Sequence, residues 1–481
     1  MVALTVAMSS CNEKNNTDDE EIIVMTNVAV TKFALKSNSE IMENLDSVYF
    51  SIDLDHGVIF NADSLPMGTK INKLVADITY SSLITEAKIT MEDGDTRTGD
   101  IDYLKNPSDS IDFTGKVTLQ LSYGTMKKSY RLKVNVHKEK ADSLIWDELK
   151  VRKLPSRMAA PRSQKSISYN DRAISLILEN DGTYTFSTST NLFDDQWTKK
   201  AISFDFVPDV RSLCATTEAI YLLSDSGTLY RSTDGTAWDA VSQGWAQILG
   251  SYTDSAVGLK SGSDGLSYAQ YPAKNMSVAK ADADFPVTGY SNLVTLVNKW
   301  TSSPVAFFVG GVKKDGALSN ATWAFDGTNW IKLSEGGIPA LKGASIIPYY
   351  NFRYTSSQIT KTEFPVWMIV GGELADGSFN RDVYISYDNG VNWRKGDAFL
   401  QLPEAIPAMT ECDNVVMTTR KMVNLSDAWT RSVSGSVEIV GDRLYWECPY
   451  IYLIGGLDKN GALCNTIWRG VLARLSFTPI I

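Results

Sequence analysis

A short unit recurs six times in the C-terminal part of the chain: an apolar strand, a tight Asp-Gly or Asn-Gly turn, and an aromatic-rich strand. These turn residues favour hairpins because type I′ turns need positive φ, which they adopt readily. The glycines of successive turns lie 38 to 84 residues apart. The six turns are Asp181-Gly182, Asp225-Ser226-Gly227, Asp264-Gly265, Asp315-Gly316, Asp376-Gly377 and Asn460-Gly461. Four-stranded propeller blades repeat at about 40 to 50 residues, so the sequence predicts six blades with insertions.

The segment 146–154 precedes the first complete unit and is similar to the outer, tryptophan-bearing strands of the other units. We expect it to pair with the last blade, in which residues 472–477 form the third strand or its continuation. Such pairing removes the open edge between the first and last sheets. Residues 141–481 are therefore predicted to form a closed, six-bladed β-propeller.

Residues 26–140 predict a separate, smaller all-β module. Apolar and polar residues alternate there, for example around Val117, Leu119 and Leu121, as a strand with one buried face requires. The sequence Tyr123-Gly124-Thr125 predicts a hairpin near the end of the module. Short strands at this density, roughly six to eight in such a length, favour an immunoglobulin-like β-sandwich.

Residues 1–25 predict a signal remnant followed by a tether. Mostly apolar and small residues lead to Cys11, and a polar, acidic stretch follows that cannot bury enough surface to fold. The first segment resembles the end of a bacterial lipoprotein signal, which implies that Cys11 is lipidated. The acidic stretch is similar to the surface-export tethers of Bacteroidota lipoproteins. The alternative is a frayed N-terminus with an incidental cysteine.

Double glycines mark three of the six units, each with an aromatic residue 13 positions after the first glycine. They are Gly310-Gly311 with Trp323, Gly371-Gly372 with Tyr384, and Gly455-Gly456 with Trp468. This pattern resembles the kelch repeat. The turn from Ser386 to Trp393 resembles the Asp box of sialidases, with shorter versions at Asp234 and Asp326. We expect the aspartates of these turns, including Asp388, to be structural, with each carboxylate accepting backbone N–H bonds.

The order of the parts resembles an uncharacterised family of Bacteroidales surface lipoproteins. In that family a lipidation signal precedes a β-sandwich and a kelch/Asp-box-like propeller. The resemblance implies that the protein is located at the outer membrane and faces the cell surface. A periplasm-facing orientation is the alternative. No activity is assigned to the family, so the resemblance implies no catalytic residues and no cofactor.

Charge and histidine content exclude several classes of site. The net charge is −10, from 46 basic and 56 acidic residues, which disfavours nucleic-acid binding. The two histidines, His56 and His137, precede the propeller, so it can build neither a histidine-ligated metal site nor a Ser-His-Asp triad. No apolar run is long enough to cross a bilayer, leaving a lipid anchor as the expected membrane contact.

The later cysteines show no metal-binding spacing. They are Cys214, Cys412, Cys448 and Cys464. A disulfide within the last three and buried free thiols both remain open. We expect no metal and no other cofactor.

Two groups of residues are candidates for ligand binding. Arg162, Arg211 and Arg420 lie just before or within the predicted innermost strands of blades one, two and six, which line the central channel where a sialidase-like site would need arginines. The alternative is that these arginines are solvated or bridge neighbouring blades. Insertions in blades five and six carry aromatic residues suited to stacking on sugar rings or contacting a protein. These aromatic candidates are Tyr349, Tyr350, Phe352, Tyr354 and Trp429. The alternative is that Tyr349, Tyr350 and Tyr354 only cap the ends of the blades.

The leading hypothesis from sequence is a lipid-anchored cell-envelope protein whose propeller is a non-catalytic binding module for a glycan or a cell-surface protein. The alternative is a glycan-active, sialidase-like hydrolase with its site at the mouth of the propeller channel. The carboxylate pair that a glycosidase needs cannot be chosen from sequence among 56 acidic residues.

Overall fold

The computed structural model describes residues 28–61, 64–81, 84–137, 143–298, 301–355, 360–423, 436–440 and 443–472. Within these ranges, the side chains of 351–363, 421–423, 436–440 and 443–447 are not described. The chain divides into two compact units, with Val136 in the first and His137 in the second. No helix in the described ranges has the length and apolar character needed to cross a membrane. Cys11 and Trp429 lie outside the described residues.

The described residues of the first unit contain eight strands. They are β1 (Val30–Leu35), β2 (Ser51–Asp53), β3 (Val58–Phe60), β4 (Ala76–Tyr80), β5 (Glu86–Glu92), β6 (Gly99–Asp102), β7 (Lys116–Tyr123) and β8 (Met126–Lys133). A single turn of 3₁₀ helix covers Leu45–Ser47. Strands β7 and β8 form the predicted hairpin, with Tyr123 opposite Met126 across a two-residue turn.

Two sheets of the first unit share one apolar core. A six-stranded sheet has the order β2-β3-β8-β7-β5-β6, and β1 pairs with β4 in a second sheet. All pairs are antiparallel except β3 with β8. Phe33 of β1, Ile89 of β5 and Leu119 of β7 belong to the same buried cluster. The alternation seen in the sequence arises because alternate residues of each strand point into this core.

The second unit begins with β9 (Leu144–Trp146) and continues with sheets that we number I to VI along the chain. Sheet I contains β10 (Ser163–Tyr169), β11 (Arg172–Leu178), β12 (Tyr184–Asn191) and β13 (Gln196–Ile202). Sheet II contains β14 (Pro208–Ala215), β15 (Ile220–Ser224), β16 (Leu229–Ser232) and β17 (Asp239–Ser242). Sheet III contains β18 (Trp245–Tyr252), β19 (Ser255–Gly262) and β20 (Gly265–Tyr271).

Sheets IV to VI complete the described part of the second unit. Sheet IV contains β21 (Val294–Val297), β22 (Pro304–Val309), β23 (Ala321–Phe325) and β24 (Trp330–Glu335). The next strands are β25 (Leu341–Lys342), β26 (Ser345–Ile347), β27 (Tyr350–Thr355), β28 (Thr360–Pro365), β29 (Trp367–Val370), β30 (Glu373–Leu374), β31 (Tyr384–Ser386) and β32 (Arg394–Lys395). Sheet V has the order β26-β29-β31-β32, while β25 pairs with β30 and β27 pairs with β28. A 3₁₀ turn at Ala398–Leu400 precedes sheet VI.

Sheet VI joins the two ends of the unit. It contains β33 (Asp413–Val423), β34 (Ser436–Val440), β35 (Arg443–Ile454) and β36 (Ile467–Leu472), in the order β33-β35-β36-β9 with β34 on β35. Trp146 of β9 lies opposite Gly470 of β36, which confirms the predicted pairing of this early segment with the last sheet. A Cβ on residue 470 would lie 2.7 Å from the Trp146 ring, so glycine leaves the room that the indole fills.

Six buried apolar clusters separate sheets I to VI, one between each neighbouring pair and one between VI and I. Strand β15 illustrates the cause: Ile220 and Leu222 pack towards sheet I, whereas Tyr221 and Leu223 pack towards sheet III. The central strands are therefore apolar on both faces, which accounts for their continuous apolar runs in the sequence. The sheets follow one another in a closed circuit.

The six predicted turns each join the second strand of a sheet to its third, which confirms the hairpins. Their predicted type I′ geometry is wrong. The glycines have positive φ, for example 86° at Gly182, but the aspartates before them do not. Instead the Asp181 carboxylate accepts the N–H of Thr183, and Gly182 N–H donates to Glu179 O. A type I turn followed by a left-handed glycine thus replaces the two-residue turn.

Candidate functional site

A cavity of about 620 Å³ lies where residues from sheets I to VI meet, and we call it the central cavity. Its walls come from β10, β14, β18 and β33 and from the chain around β21 and β26. The lining side chains used below are Lys165, Ile167, Ser168, Asp209, Arg211, Gln247, Thr288, Thr295, Glu411, Asp413 and Val416. The site is thus built from sheets I to IV and VI and from the chain that flanks β26 of sheet V.

The Asp413 carboxylate ties three sheets together at the wall of this cavity. Its side chain is 2% exposed and accepts from Gln164 Nε2 at 2.9 Å, Lys165 Nζ at 2.7 Å and Ser166 N at 2.7 Å. Arg211 of sheet II adds a fourth contact, from a terminal guanidinium nitrogen at 3.2 Å. A buried carboxylate needs such donors, because removing its charge from water costs free energy that only hydrogen bonds and ion pairs can offset.

The Arg211 guanidinium is almost fully used by the protein. Besides Asp413, it donates to Gln164 O at 2.7 Å and to Glu411 O at 3.0 Å. Its Nε lies 3.6 Å from the Glu411 carboxylate. Arg211 therefore bridges sheets I, II and VI rather than presenting a free cation to the cavity.

Side-chain hydrogen bonds also link the other sheets around the cavity. Asn414 of sheet VI donates to Ile346 O of sheet V at 2.8 Å, and Asn292, just before sheet IV, donates to the same oxygen at 2.9 Å. Tyr290, also ahead of sheet IV, donates to Gln247 of sheet III at 2.8 Å. Burial raises the pKa of the Tyr290 hydroxyl, which therefore stays protonated and donates. The wall is consequently ordered before any ligand arrives.

Two thiols at the cavity are poorly suited to act as nucleophiles. Burial raises the pKa of Cys214 to about 12 and also raises the pKa of Cys412. A protonated thiol is a poor nucleophile. Cys214, Cys412 and Cys464 form no disulfide in the described residues, which favours thiols over a disulfide among the last three cysteines. Among the described residues, no group of three or more His, Cys, Asp or Glu side chains could hold a metal ion.

Of the three candidate arginines, only Arg211 lines the central cavity. Arg162 is exposed ahead of β10 and donates to Asn180 O. Arg420 is exposed on β33, opposite Glu447 in the strand register. All three lie in or next to first strands, as expected, but the structure does not bring them together.

The aromatic insertion of sheet V forms the β27–β28 hairpin. Tyr349, expected on an exposed loop, is 1% exposed, and its hydroxyl donates to Pro449 O at 2.7 Å. Its ring is stacked on that of half-buried Tyr350, with centroids 5.7 Å apart. The insertion thus packs its first tyrosine between sheets V and VI. Phe352 and Tyr354 lie on β27, but their side chains are outside the described residues.

Sequence reasoning missed the polar residues that build the cavity. Lys165, Asp209, Glu411 and Asp413 show no mutual spacing in the chain, and only the circuit of sheets brings them together. One signal was available: Asp413 opens a strand that soon continues with the apolar run Val415-Val416-Met417, and a carboxylate at the start of such a buried strand needs a partner.

Family comparison assigns both units of the chain. Residues 140–480 match the family described as DUF6242 beta propeller domain. The chain belongs to this family. Residues 10–134 match the DUF6242 N-terminal domain, and this range contains the strands β1 to β8 of the first unit. The second unit of this family member is accordingly a β-propeller. No curated protein matches the chain.

Solved structures with similar arrangements are distant in sequence. A structure of YjhT is 13% identical, with a TM-score of 0.38, covering 65% of this chain and 95% of its own. The BP39L lectin from Burkholderia pseudomallei is 12% identical, with a TM-score of 0.33, covering 76% and 91%. A Trypanosoma rangeli sialidase is 11% identical, with a TM-score of 0.26, covering 69% and 60%. Similarities at this level carry no argument about function.

Proposed function

We propose that this protein is a non-catalytic binding module of the cell envelope, whose propeller holds a glycan or a protein partner at the central cavity. The observation that carries the proposal is the cavity itself, which is lined by five sheets and by the chain flanking sheet V and is braced by hydrogen bonds between sheets. Side chains that are already held in place by hydrogen bonds to one another lose little conformational entropy when a ligand binds. The volume of about 620 Å³ falls in the range of roughly 300–1,000 Å³ usual for ligand pockets.

Sheets I to VI are proposed as the six blades of the propeller. The six apolar clusters between them, including the one between VI and I, support this count. For the first unit we favour the immunoglobulin-like sandwich, supported by its two sheets around one core. That module serves as a spacer or as a second contact surface.

A sialidase-like hydrolase is the alternative. Such an enzyme needs guanidinium groups free to hold a substrate carboxylate. The one candidate arginine at the cavity, Arg211, is already bound to Asp413 and to two backbone carbonyls. This engagement favours binding over hydrolysis. Turnover of a fluorogenic sialoside by the purified protein, lost in an Arg211→Ala variant, would support the hydrolase instead.

The proposed address is the outer membrane, with the chain tethered by a lipid on Cys11 and facing the cell surface; a periplasmic orientation is the alternative. The lipoprotein-like N-terminus and the acidic stretch after it support this proposal. Cells fed a clickable palmitate analogue should label the wild type and a Cys464→Ser control, whereas Cys11→Ser removes the label. An unlabelled wild-type protein would contradict the anchor.

The binding site is tested by filling it. Ser168 is exposed and lines the cavity, so a tryptophan there should occupy the space that a ligand needs. Ser203 is also exposed but is not a lining residue, which makes Ser203→Trp the matched control. On a glycan array, we expect the wild type and S203W to bind a common set of glycans and S168W to lose at least tenfold in affinity. If S168W bound the same glycans with unchanged affinity, the binding site would lie elsewhere. If the wild type bound no glycan on the array, the partner would instead be a protein.

A further inference from the structure

Charge at the central cavity restricts what can enter it. Five charged side chains line it: Lys165, Arg211, Asp209, Glu411 and Asp413. The acidic groups outnumber the basic ones, and both basic groups are in contact with Asp413. An anionic ligand therefore meets no unpaired cation among these residues.

The cost to an anion follows from the contacts of the two basic groups. Lys165 Nζ lies 2.7 Å from Asp413 and its side chain is 16% exposed, so it faces the buried carboxylate more than the cavity. Arg211 donates to three protein oxygens. A carboxylate or sulfate on the ligand would have to displace these partners, leaving Asp413 buried without compensation.

A cationic ligand gains little here either. The best-buried carboxylate, Asp413, is already satisfied by four donors. Asp209 is exposed, and the Glu411 side chain is 43% exposed. Solvated carboxylates of this kind contribute about 0–1 kcal/mol to an ion pair.

The remaining lining suits uncharged, hydroxyl-rich ligands. Exposed Ser168 and Thr288 present hydroxyl groups, and Gln247 presents an amide. The Thr295 hydroxyl already donates to Ser251 O at 3.0 Å and can accept a hydrogen bond from a ligand. Asp209 and Glu411 can accept hydrogen bonds from ligand hydroxyls. Half-buried Ile167 and Val416 offer apolar surface to the C–H groups of a sugar ring. Together these are the donors, acceptors and apolar contacts that a neutral sugar needs.

We infer that the central cavity binds an uncharged sugar residue of a glycan and discriminates against sialylated, sulfated and uronic acid residues. The inference rests on the proposed binding function and narrows its ligand from glycan or protein to neutral glycan.

The test compares matched oligosaccharides on one surface. Probes are neutral oligosaccharides, the same oligosaccharides carrying a terminal sialic acid or a 3-O-sulfate, and penta-lysine. For the full chain we expect neutral probes to bind at least tenfold more tightly than their charged counterparts and than penta-lysine. Tighter binding of an anionic probe or of penta-lysine overturns the inference while leaving a binding function intact. Failure of every probe overturns the proposed glycan function and the inference together.

A charge-insertion variant provides a second, independent readout. Ser168→Arg adds a guanidinium to the lining and leaves Asp413 and its four donor residues unsubstituted. We expect it to raise affinity for the sialylated probe at least fivefold relative to the wild type, whereas the Ser203→Arg control does not. An unchanged preference in S168R would show that cavity charge does not set selectivity.

Discussion

At the scale of single residues, Asp413 is the group on which the cavity wall depends most. It starts β33 of the last sheet but bonds to Gln164, Lys165 and Ser166 of the first sheet and to Arg211 of the second. The four donors and the buried carboxylate form one hydrogen-bond network. Such a network can stabilise a protein by more than the sum of the effects of deleting its members one at a time. The wall is stiff because one charge holds three sheets in register.

Replacing Asp413 with asparagine tests this role. The amide would keep the shape of the side chain but leave Lys165 and Arg211 without their shared anion, so we expect the free energy of unfolding to fall by about 3 kcal/mol. Urea denaturation measures the change. Asp195→Asn is the control, because Asp195 is exposed with φ of 58°, a backbone conformation that asparagine also adopts. A loss in D413N no larger than in D195N would contradict the network.

Asp234 makes a turn whose stability depends on pH. The N–H of Ala237 and the hydroxyl and N–H of Thr236 hold the pKa of this carboxyl well below its usual range. A depressed acid stabilises the fold above its unfolded pKa, near 3.8, and this stabilisation is lost as the pH falls below that value.

We therefore expect Asp234→Ala to lower the free energy of unfolding by about 1 kcal/mol at pH 7 and by less at pH 3. Chemical denaturation at the two pH values measures the difference. The control is Asp264→Ala, in an exposed turn where the carboxylate accepts from the Ser263 hydroxyl. A cost for D234A that grows on acidification would reverse the expected sign.

At the scale of elements, the double glycines end the second strands of sheets IV, V and VI and pack closely against the neighbouring sheet. Both glycines of each pair have positive φ, for example 67° and 98° at Gly371 and Gly372. A Cβ at residue 371 would lie 2.5 Å from Met409 O, in the segment leading to sheet VI. The motif is therefore a point of close approach between sheets as well as a change of chain direction.

Gly371→Ala and Gly377→Ala separate these two requirements within one sheet. Gly377 has φ of 79° and no atom within 4 Å of its virtual Cβ, so alanine there meets only the left-handed strain of about 1 kcal/mol. At Gly371 the clash with backbone adds to that strain, and we expect a total loss of about 3 kcal/mol. Thermal and urea unfolding compare the variants. Equal losses would mean that packing against sheet VI is looser than described.

The sequence predicted local features well, because turns and alternation depend on neighbouring residues. The hairpins at Gly182 and Gly461 and the use of Asp234 as a backbone acceptor needed no knowledge of distant residues. The Asp413–Lys165 contact joins residues 248 positions apart, so it exists only once the sheets are in register. For Tyr349 the sequence left open an exposed binding residue and a structural cap, because an insertion alone does not show where its side chains pack. The chain continues into β27 and the next sheet covers the ring, so Tyr349 is structural.

At the scale of the whole propeller unit, the circuit depends on β9. This strand pairs with β36, and Trp146 fills the space over Gly470. Arg469 reinforces the junction with an ion pair to Asp147 at 2.6 Å and lies over the Phe193 ring at 4.2 Å. The last sheet is therefore completed by the first strand of the unit, which covers the edge of β36.

Trp146→Ala should weaken the whole unit. Loss of a buried indole costs about 4 kcal/mol, and we expect hydrogen exchange to accelerate along β36 as the junction opens. Mass spectrometry of deuterium uptake measures this. Trp238→Ala, in the half-buried turn of sheet II, is the control and should leave exchange in β36 unchanged. Unchanged β36 exchange in W146A would show that the sheet holds without β9.

The β9–β36 junction also sets the order in which the protein can fold. Asp147 and Arg469 are 322 positions apart. During synthesis, β9 therefore cannot pair with β36 until almost the whole unit has been translated. Sheets I to V are completed from nearby sequence, whereas this pairing requires closure of a very long loop. Contacts of such high order form slowly. Until then β9 and the exposed edge of sheet VI are open to other nascent chains, which makes the interval before ring closure the time of greatest risk of aggregation.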